Sequence, residues 1–283
     1  MLRRRSDGYH DIVTVFEKID LCDRLTFDLS DKGLEVTTNT SELSCDEKNL
    51  VFKASSLLMD TYGIEKGARI HIDKRIPIAA GLGGGSSNAA TALLGLCRLW
   101  NITIKYEELI ELGKKMGADV PFFISNNAYA IGRGRGDDIM ALESSLAIWH
   151  LIIYSSIKVL TKDIYKEATL NLTAKKPDVR ILLRAIEQGD LHGLKTHLYN
   201  SLEPIVAKKV ADIGRIKKFI KNEGYNGMMV TGSGPTIFVL TLNRKEAEGL
   251  KDKVDDFLAS ELGKDDWKIF VAKTIEQHKQ PGI

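Results

Sequence analysis

Residues 79–90 read AAGLGGGSSNAA, with glycines at 81, 83, 84 and 85, then Ser86 and Ser87, then the start of an alanine-rich run. Such a density of glycine lets successive backbone N–H groups converge with no side chains between them. A helix N-terminus directly after it adds partial positive charge, so the segment is built like an anion site. Ser86 and Ser87 stand where they can cap the helix, and their hydroxyls can also meet a phosphate or a magnesium ion. Two common phosphate loops are excluded. Gly85 runs directly into Ser86 without the lysine of a Walker loop, and Ser86 stands where a dinucleotide fingerprint needs its third glycine. A tight turn with serine caps is the plain alternative, but four glycines and two serines together favour nucleotide phosphate. Lys74, the one lysine nearby, precedes the turn.

Upstream of this loop, DIVTVFEKI (11–19), RLTFDL (24–29) and LEVTTNT (34–40) have the β-branched and aromatic content of strands. NLVFKASSLLMDTYG (49–63) has helical spacing and a terminating glycine, and ARIHID (68–73) alternates as a strand. Downstream, a helix is expected from Ser86 to Trp100 with Ala90, Leu93, Leu94, Cys97 and Trp100 as its inward stripe. A second helix is expected over 105–117. VPFFI (120–124) and AYAIG (128–132) read as short apolar strands, and GRGRGDD (132–138) as a turn. The character shifts near Ser144–Ser145. AIWHLIIYS (147–155), GMMVTGSGPTIFVLTL (227–242) and WKIFVAK (267–273) then supply strands. DVRILLRAIEQG, RKEAEGLKDKVDDFLASEL and one long stretch over 204–224 read as helices. The irregular alternation predicts an α+β fold of two domains, 1–145 and 146–283.

At 283 residues the chain is long for a single compact core. A net charge of +2, with 43% hydrophobic and 28% charged residues, gives no reason to expect nucleic-acid or membrane partners. Cys22, Cys45 and Cys97 are widely spaced, which suits a reducing, cytoplasmic setting better than a disulfide framework or a zinc site. No apolar run approaches the ~20 residues of a membrane span. His71, His150, His192, His197 and His278 show no ligand spacing.

The stretch IPIAAGLGGGSSNAA resembles the phosphate loop of the GHMP kinases, the superfamily of galactokinase, homoserine kinase and mevalonate kinase. Pro77, Gly81, Leu82, Gly83, Ser86 and Ser87 fit its motif. Three further stretches are similar to one branch, whose substrate is a cytidine-diphosphate-linked methylerythritol phosphorylated on its 2-hydroxyl in non-mevalonate isoprenoid synthesis. These are RRSDGYHDIVTVFEKIDLCDRL (4–25), GADVPFF (117–123) and GSGPTIF (232–238). The resemblance implies ATP and Mg²⁺ as cofactors, with ATP on the N-terminal domain and the substrate in a cleft between the two. It makes Asp119 the base that accepts the proton of the substrate hydroxyl. Asn49 and Leu50 fall near the adenine, and Gly81, Leu82, Gly83, Gly84, Gly85, Ser86 and Ser87 hold the phosphates. Lys74 is a possible source of positive charge, and Ser87 a possible metal ligand. Tyr9 and His10 would hold the cytosine and Tyr165 would cover its other face, with Thr161 on the same loop as Tyr165. Gly232, Ser233 and Gly234 would approach the substrate diphosphate. The partner is then a small molecule with a cytidine diphosphate group, and the protein a monomer or weak homodimer. Family members carry a Pro-Ala-Lys-x-Asn-Leu strand about fifteen residues ahead of the DGYH segment, its lysine beside the catalytic aspartate. This sequence begins at Met1, a few residues before Asp7, without that motif, and weakened catalysis is the expectation. Another GHMP small-molecule kinase is the nearest alternative, and a nucleotide-binding regulatory protein the more distant one.

Overall fold

The computed structural model describes residues 3–168, 178–263 and 265–275; His278 lies outside these residues. The N-terminal part opens with β1 (Arg3–Arg4), β2 (His10–Asp11), β3 (Thr14–Glu17), β4 (Arg24–Ser30) and β5 (Leu34–Thr38). It continues through α1 (Leu50–Tyr62), β6 (Gly67–Asp73), α2 (Gly84–Leu99), α3 (Tyr106–Met116), α4 (Val120–Ile124), β7 (Tyr129–Arg133) and β8 (Asp138–Leu142). The remainder comprises β9 (Trp149–Ser155), α5 (Thr161–Ala168), α6 (Val179–Glu187), α7 (Leu191–His197), α8 (Glu203–Lys209) and α9 (Asp212–Asn222). β10 (Met228–Val230), β11 (Ile237–Thr241), α10 (Arg244–Glu261) and β12 (Trp267–Lys273) close it.

β6 lies between β4 and β5, antiparallel to one and parallel to the other. The 31–33 turn therefore arches over the start of β6. Gly67 lies directly against the backbone of Gly33, where any side chain would collide. One face of this sheet is apolar at Val36, Ala68, Ile70 and Ile72, all buried beneath α1 and α2. Asn49 caps α1 by accepting from the Val51 N–H at 2.9 Å, and Gly63 ends the helix in the left-handed region at φ 63°. The larger sheet, β10-β11-β9-β12, packs Leu151, Ile153, Ile237 and Val239 against α5, α8, α9 and α10. A third cluster joins Tyr129, Ile131 and Leu142 to Ala185, Ile186, Leu194 and Leu240, so elements from both ends of the chain share apolar contacts. A buried polar knot reinforces that junction. Glu17 Oε1 accepts from the Thr274 hydroxyl at 2.7 Å and from the Tyr129 hydroxyl at 3.2 Å, and lies 2.9 Å from His150 Nε2.

Four sequence expectations are corrected. VPFFI is a helix, α4, not a strand: a five-residue apolar run has no period to read, and Pro121 sits in the first turn, where it is tolerated. The stretch over 204–224 forms two helices, α8 and α9, because Val210 leaves the helical region at φ −127°, ψ 83°. Thr161 and Tyr165 lie on helix α5 rather than on a loop. The helix after the glycine loop begins at Gly84, two residues before Ser86.

Candidate active site

The glycine loop owes its shape to repeated left-handed backbone. Ala79 has φ 56°, Gly81 72° and Gly83 67°. Ala79 bears the strain of a non-glycine residue in that region, on the order of 1 kcal/mol or more. Gly83, not a serine, is the N-cap of α2 and makes no side-chain capping bond; Ser86 and Ser87 sit inside the first turn. The Ser87 N–H closes onto the Gly83 carbonyl at 2.8 Å. The N–H groups of Gly84, Gly85 and Ser86 then have no partner within the helix and form its positive end. Close packing explains why these positions must lack side chains. A Cβ on Gly83 would stand 2.8 Å from Phe123 Cζ, and one on Gly84 3.0 Å from Ile76 Cγ2. Packing beneath the loop therefore requires glycine at 83 and 84, and the unpartnered N–H groups of the first turn of α2 fit the phosphates of a nucleotide.

The other sequence motifs come to this loop. A side chain starting at Gly117 would be 3.9 Å from the Ser86 hydroxyl, which sets the segment 117–119 beside the first turn of α2. Asp119 is the residue before α4, and burial raises its carboxyl above the usual aspartate range. Tyr165 on α5 is itself raised by burial and then by the negative charge of Asp119, so the two groups lie within electrostatic reach of each other. The His10 ring lies 5.3 Å from that of Tyr165, tilted by 30°. Burial, with help from Arg4, holds the His10 imidazole below its ordinary pKa. A neutral ring offers one donor and one acceptor to a base edge. Tyr9 instead projects outward, 57% exposed, with the Arg135 guanidinium 5.2 Å from its ring centroid. Tyr9 and Tyr165 are thus both near His10 in the chain or in space, but the ring directly against Tyr165 is His10.

The turn over Gly232–Gly234 forms the opposite wall. The Thr231 hydroxyl donates to the Gly81 carbonyl at 3.1 Å, and the Thr161 and Ser233 hydroxyls are 2.9 Å apart. Asn200 fixes this turn by donating to the carbonyls of Val230 and Gly232, each at 2.8 Å. Leu50 completes the nucleotide side: its Cδ1 is 3.5 Å from where a Cβ on Gly85 would be. A groove of about 700 Å³ opens next to it, lined by Leu50, Lys53, Lys115 and Met116 among others. Asn49 is buried and spent on capping α1 and on the Ser44 carbonyl.

Lys74 occupies a different place from the one its sequence position suggested. Its side chain is 7% exposed, 2.8 Å from Asp23 and bonded to the Ile76 carbonyl, so its charge is neutralised beneath the loop. Sequence reasoning passed over Asp23, Asn200, Thr231 and Lys18. Lys18 donates to the carbonyls of Phe123 and Ser125 at the C-terminal end of α4, and burial lowers its pKa to about 8. Lys18 and Asp23 fall inside the 4–25 stretch but outside its DGYH core, and Asn200 and Thr231 outside GSGPTIF; only the distance along the chain that each bridges reveals their contacts.

A glycine loop that opens a helix, with a turn from the C-terminal part packed against it, is the arrangement of a GHMP kinase. The sequence profiles of the GHMP kinases N terminal domain and of the GHMP kinases C terminal match residues 49–127 and 182–260. Over 88% of this chain and 85% of its own length, the 4-diphosphocytidyl-2-C-methyl-D-erythritol kinase of Alkaliphilus metalliredigens is 36% identical. That of Enterococcus faecalis is 36% identical over 91% of this chain and 90% of its own. A crystal structure of 4-(cytidine 5'-diphospho)-2C-methyl-D-erythritol kinase superposes with a TM-score of 0.79 at 27% identity, covering 96% of this chain and 93% of that one. The chain belongs to the 4-diphosphocytidyl-2-C-methyl-D-erythritol kinase family.

Proposed function

We propose that the protein transfers the γ-phosphoryl group of ATP to the 2-hydroxyl of 4-diphosphocytidyl-2-C-methyl-D-erythritol. The observation that supports this reading is the proximity of four motifs to one another: the glycine loop, Asp119, the His10–Tyr165 pair and the Gly232–Gly234 turn. The free N–H groups of α2 hold the β- and γ-phosphates. Asp119, pushed toward protonation by burial, accepts the proton leaving the substrate hydroxyl as the new P–O bond forms. His10 and Tyr165 bind the cytosine, by base-edge hydrogen bonds and an aromatic face. Gly232, Ser233 and Gly234 approach the diphosphate.

Mg²⁺ supplies charge neutralisation on the phosphates when bound. Among the described residues no three His, Cys, Asp or Glu groups cluster as a metal cage. Mg²⁺ keeps several waters and binds through one or two protein oxygens plus phosphates, so it needs no such cage. The Ser87 hydroxyl is the group that would hold it. Among the described residues no helix is long and apolar enough to cross a membrane.

The test is ADP release with the cytidyl substrate, compared with homoserine, galactose and mevalonate. Turnover confined to the cytidyl substrate is expected. Release only with one of the others would replace this assignment with another GHMP activity, and ATP binding without any turnover would favour a regulatory protein.

A further inference from the structure

Asp23 lies just before β4, near the end of the 4–25 stretch but outside its DGYH core, with a side chain 1% exposed. Both of its oxygens are fully engaged. Oδ1 accepts from the Arg75 N–H at 2.7 Å and from the Ile76 N–H at 2.8 Å. Oδ2 accepts from Lys74 Nζ at 2.8 Å and from Asn88 Nδ2 at 2.9 Å. A carboxylate has about four lone-pair sites, and here all four are filled. The donors come from two places: residues 74–76, which lead into the glycine loop, and Asn88, which lies on α2 just after it. One carboxylate therefore holds the loop at both ends.

The charges are matched as well as the geometry. The Lys74 ammonium is beneath the first turn of α2, 3.4 Å from where a Cβ on Gly84 would be. A bare cation there would oppose the positive end of the helix. Asp23 cancels it, so the N–H groups of Gly84, Gly85 and Ser86 remain the attractive feature. We infer that Asp23, acting through Lys74 and Asn88, is the positioning residue that sets the glycine loop for ATP phosphates, and that Lys74 serves this brace rather than contacting phosphate. This rests on the loop's being the ATP site, as proposed above.

Substituting Asp23→Asn is nearly isosteric but leaves at most one oxygen to accept, and turns an NH₂ group toward two donors, Lys74 and Asn88. The milder Asn88→Ala removes only the tie to α2 and keeps the ion pair. ATP binding is measured by titration calorimetry with Mg²⁺, and KM is measured separately for ATP and for the cytidyl substrate. Asn88→Ala should weaken ATP about tenfold, the usual size for a hydrogen bond to a charged group. Asp23→Asn disturbs the ties to both ends of the loop and should weaken it further, about 10²-fold, the loss of two such bonds. In Asn88→Ala the KM for the cytidyl substrate at saturating ATP should stay unchanged, which a general loosening of the fold would not allow. Wild-type ATP affinity in a folded Asn88→Ala, or equal rises in both KM values, would overturn the inference even if Asp23→Asn fails to fold. Absence of ATP binding in the wild-type protein would instead overturn the functional reading beneath it.

Discussion

Gly81 is where the glycine loop touches the wall of the opposite half, and replacing it with alanine tests whether that approach matters. Two effects combine. At φ 72° an L-residue is strained by about 1–2 kcal/mol relative to glycine. The added Cβ would also stand 3.0 Å from the Thr231 carbonyl oxygen and 3.1 Å from that of Gly234. Both are backbone atoms that cannot swing aside, so the loop and the turn must separate by a few tenths of an ångström. Gly224→Ala isolates the first effect, because Gly224 has φ 92° and no atom within 4 Å of its would-be Cβ. Urea unfolding should show Gly224→Ala less stable by about 1–2 kcal/mol, and Gly81→Ala at least as much. Steady-state kinetics should then divide them. Gly224→Ala keeps wild-type constants. Gly81→Ala loses kcat/KM for ATP by about 10–10²-fold, since displacement of an ångström or less is felt steeply in phosphoryl transfer. If the two variants lose equal stability and Gly81→Ala keeps wild-type kcat/KM, the contact between loop and turn is irrelevant to catalysis.

Other outcomes follow from the same site. Asp119→Asn should lower kcat by about 10²–10⁴-fold through loss of the general base, with ATP affinity by calorimetry within about twofold of wild type; retained turnover removes Asp119 from the mechanism. Because burial raises the Asp119 pKa and the base works ionised, the acid limb of kcat/KM should fall with its midpoint above the ~3.9 of an ordinary aspartate. That limb should vanish in Asp119→Asn. Tyr165→Ala should raise KM for the cytidyl substrate by about tenfold or more, the loss of one stacked base, and leave KM for ATP unchanged. Lys18 binds a proton less readily folded, at about pH 8, than unfolded, at about 10.4. The unfolded chain therefore holds more protons between those values, and its burial penalty is relieved as pH rises. Chemical denaturation should show wild type gaining on Lys18→Met from pH 8 to 10; a constant difference would refute the shift.

The glycine loop, the DGYH turn and the long amphipathic helices were readable because each is local: positive φ, capping and 3.6-residue spacing act within a few residues. Asn49 and Gly63 mark the ends of α1 in the sequence as they do in space. α4 was not readable, because five consecutive apolar residues satisfy strand and helix equally and only packing against α2 and α3 decides. The place of β6 between β4 and β5 was hidden likewise; the turn at 31–33 looks like any hairpin turn until Gly67 is found under it. The site shows the same division. The loop glycines announce themselves, whereas Asp23 is one aspartate ahead of an ordinary strand, and its four donors come from residues 51 to 65 positions away. Lys74 carries the clearest lesson. Proximity in sequence suggested a phosphate ligand, and a buried counter-charge that no local pattern encodes gave it another partner.

The bond from Thr231 to Gly81 has a consequence for how the enzyme can be divided. A fragment ending near residue 145 would carry every loop glycine, Asp119 and the whole of α2. It would still lack the turn that faces Gly81, the Tyr165 ring that lies against His10, and half of the apolar cluster around Tyr129. Modules of this kind are not interchangeable parts. Grafting the N-terminal half onto a foreign C-terminal half would move the nucleotide loop's own boundary, so any change of acceptor specificity by domain exchange must carry Thr231–Gly234 along with the loop it supports.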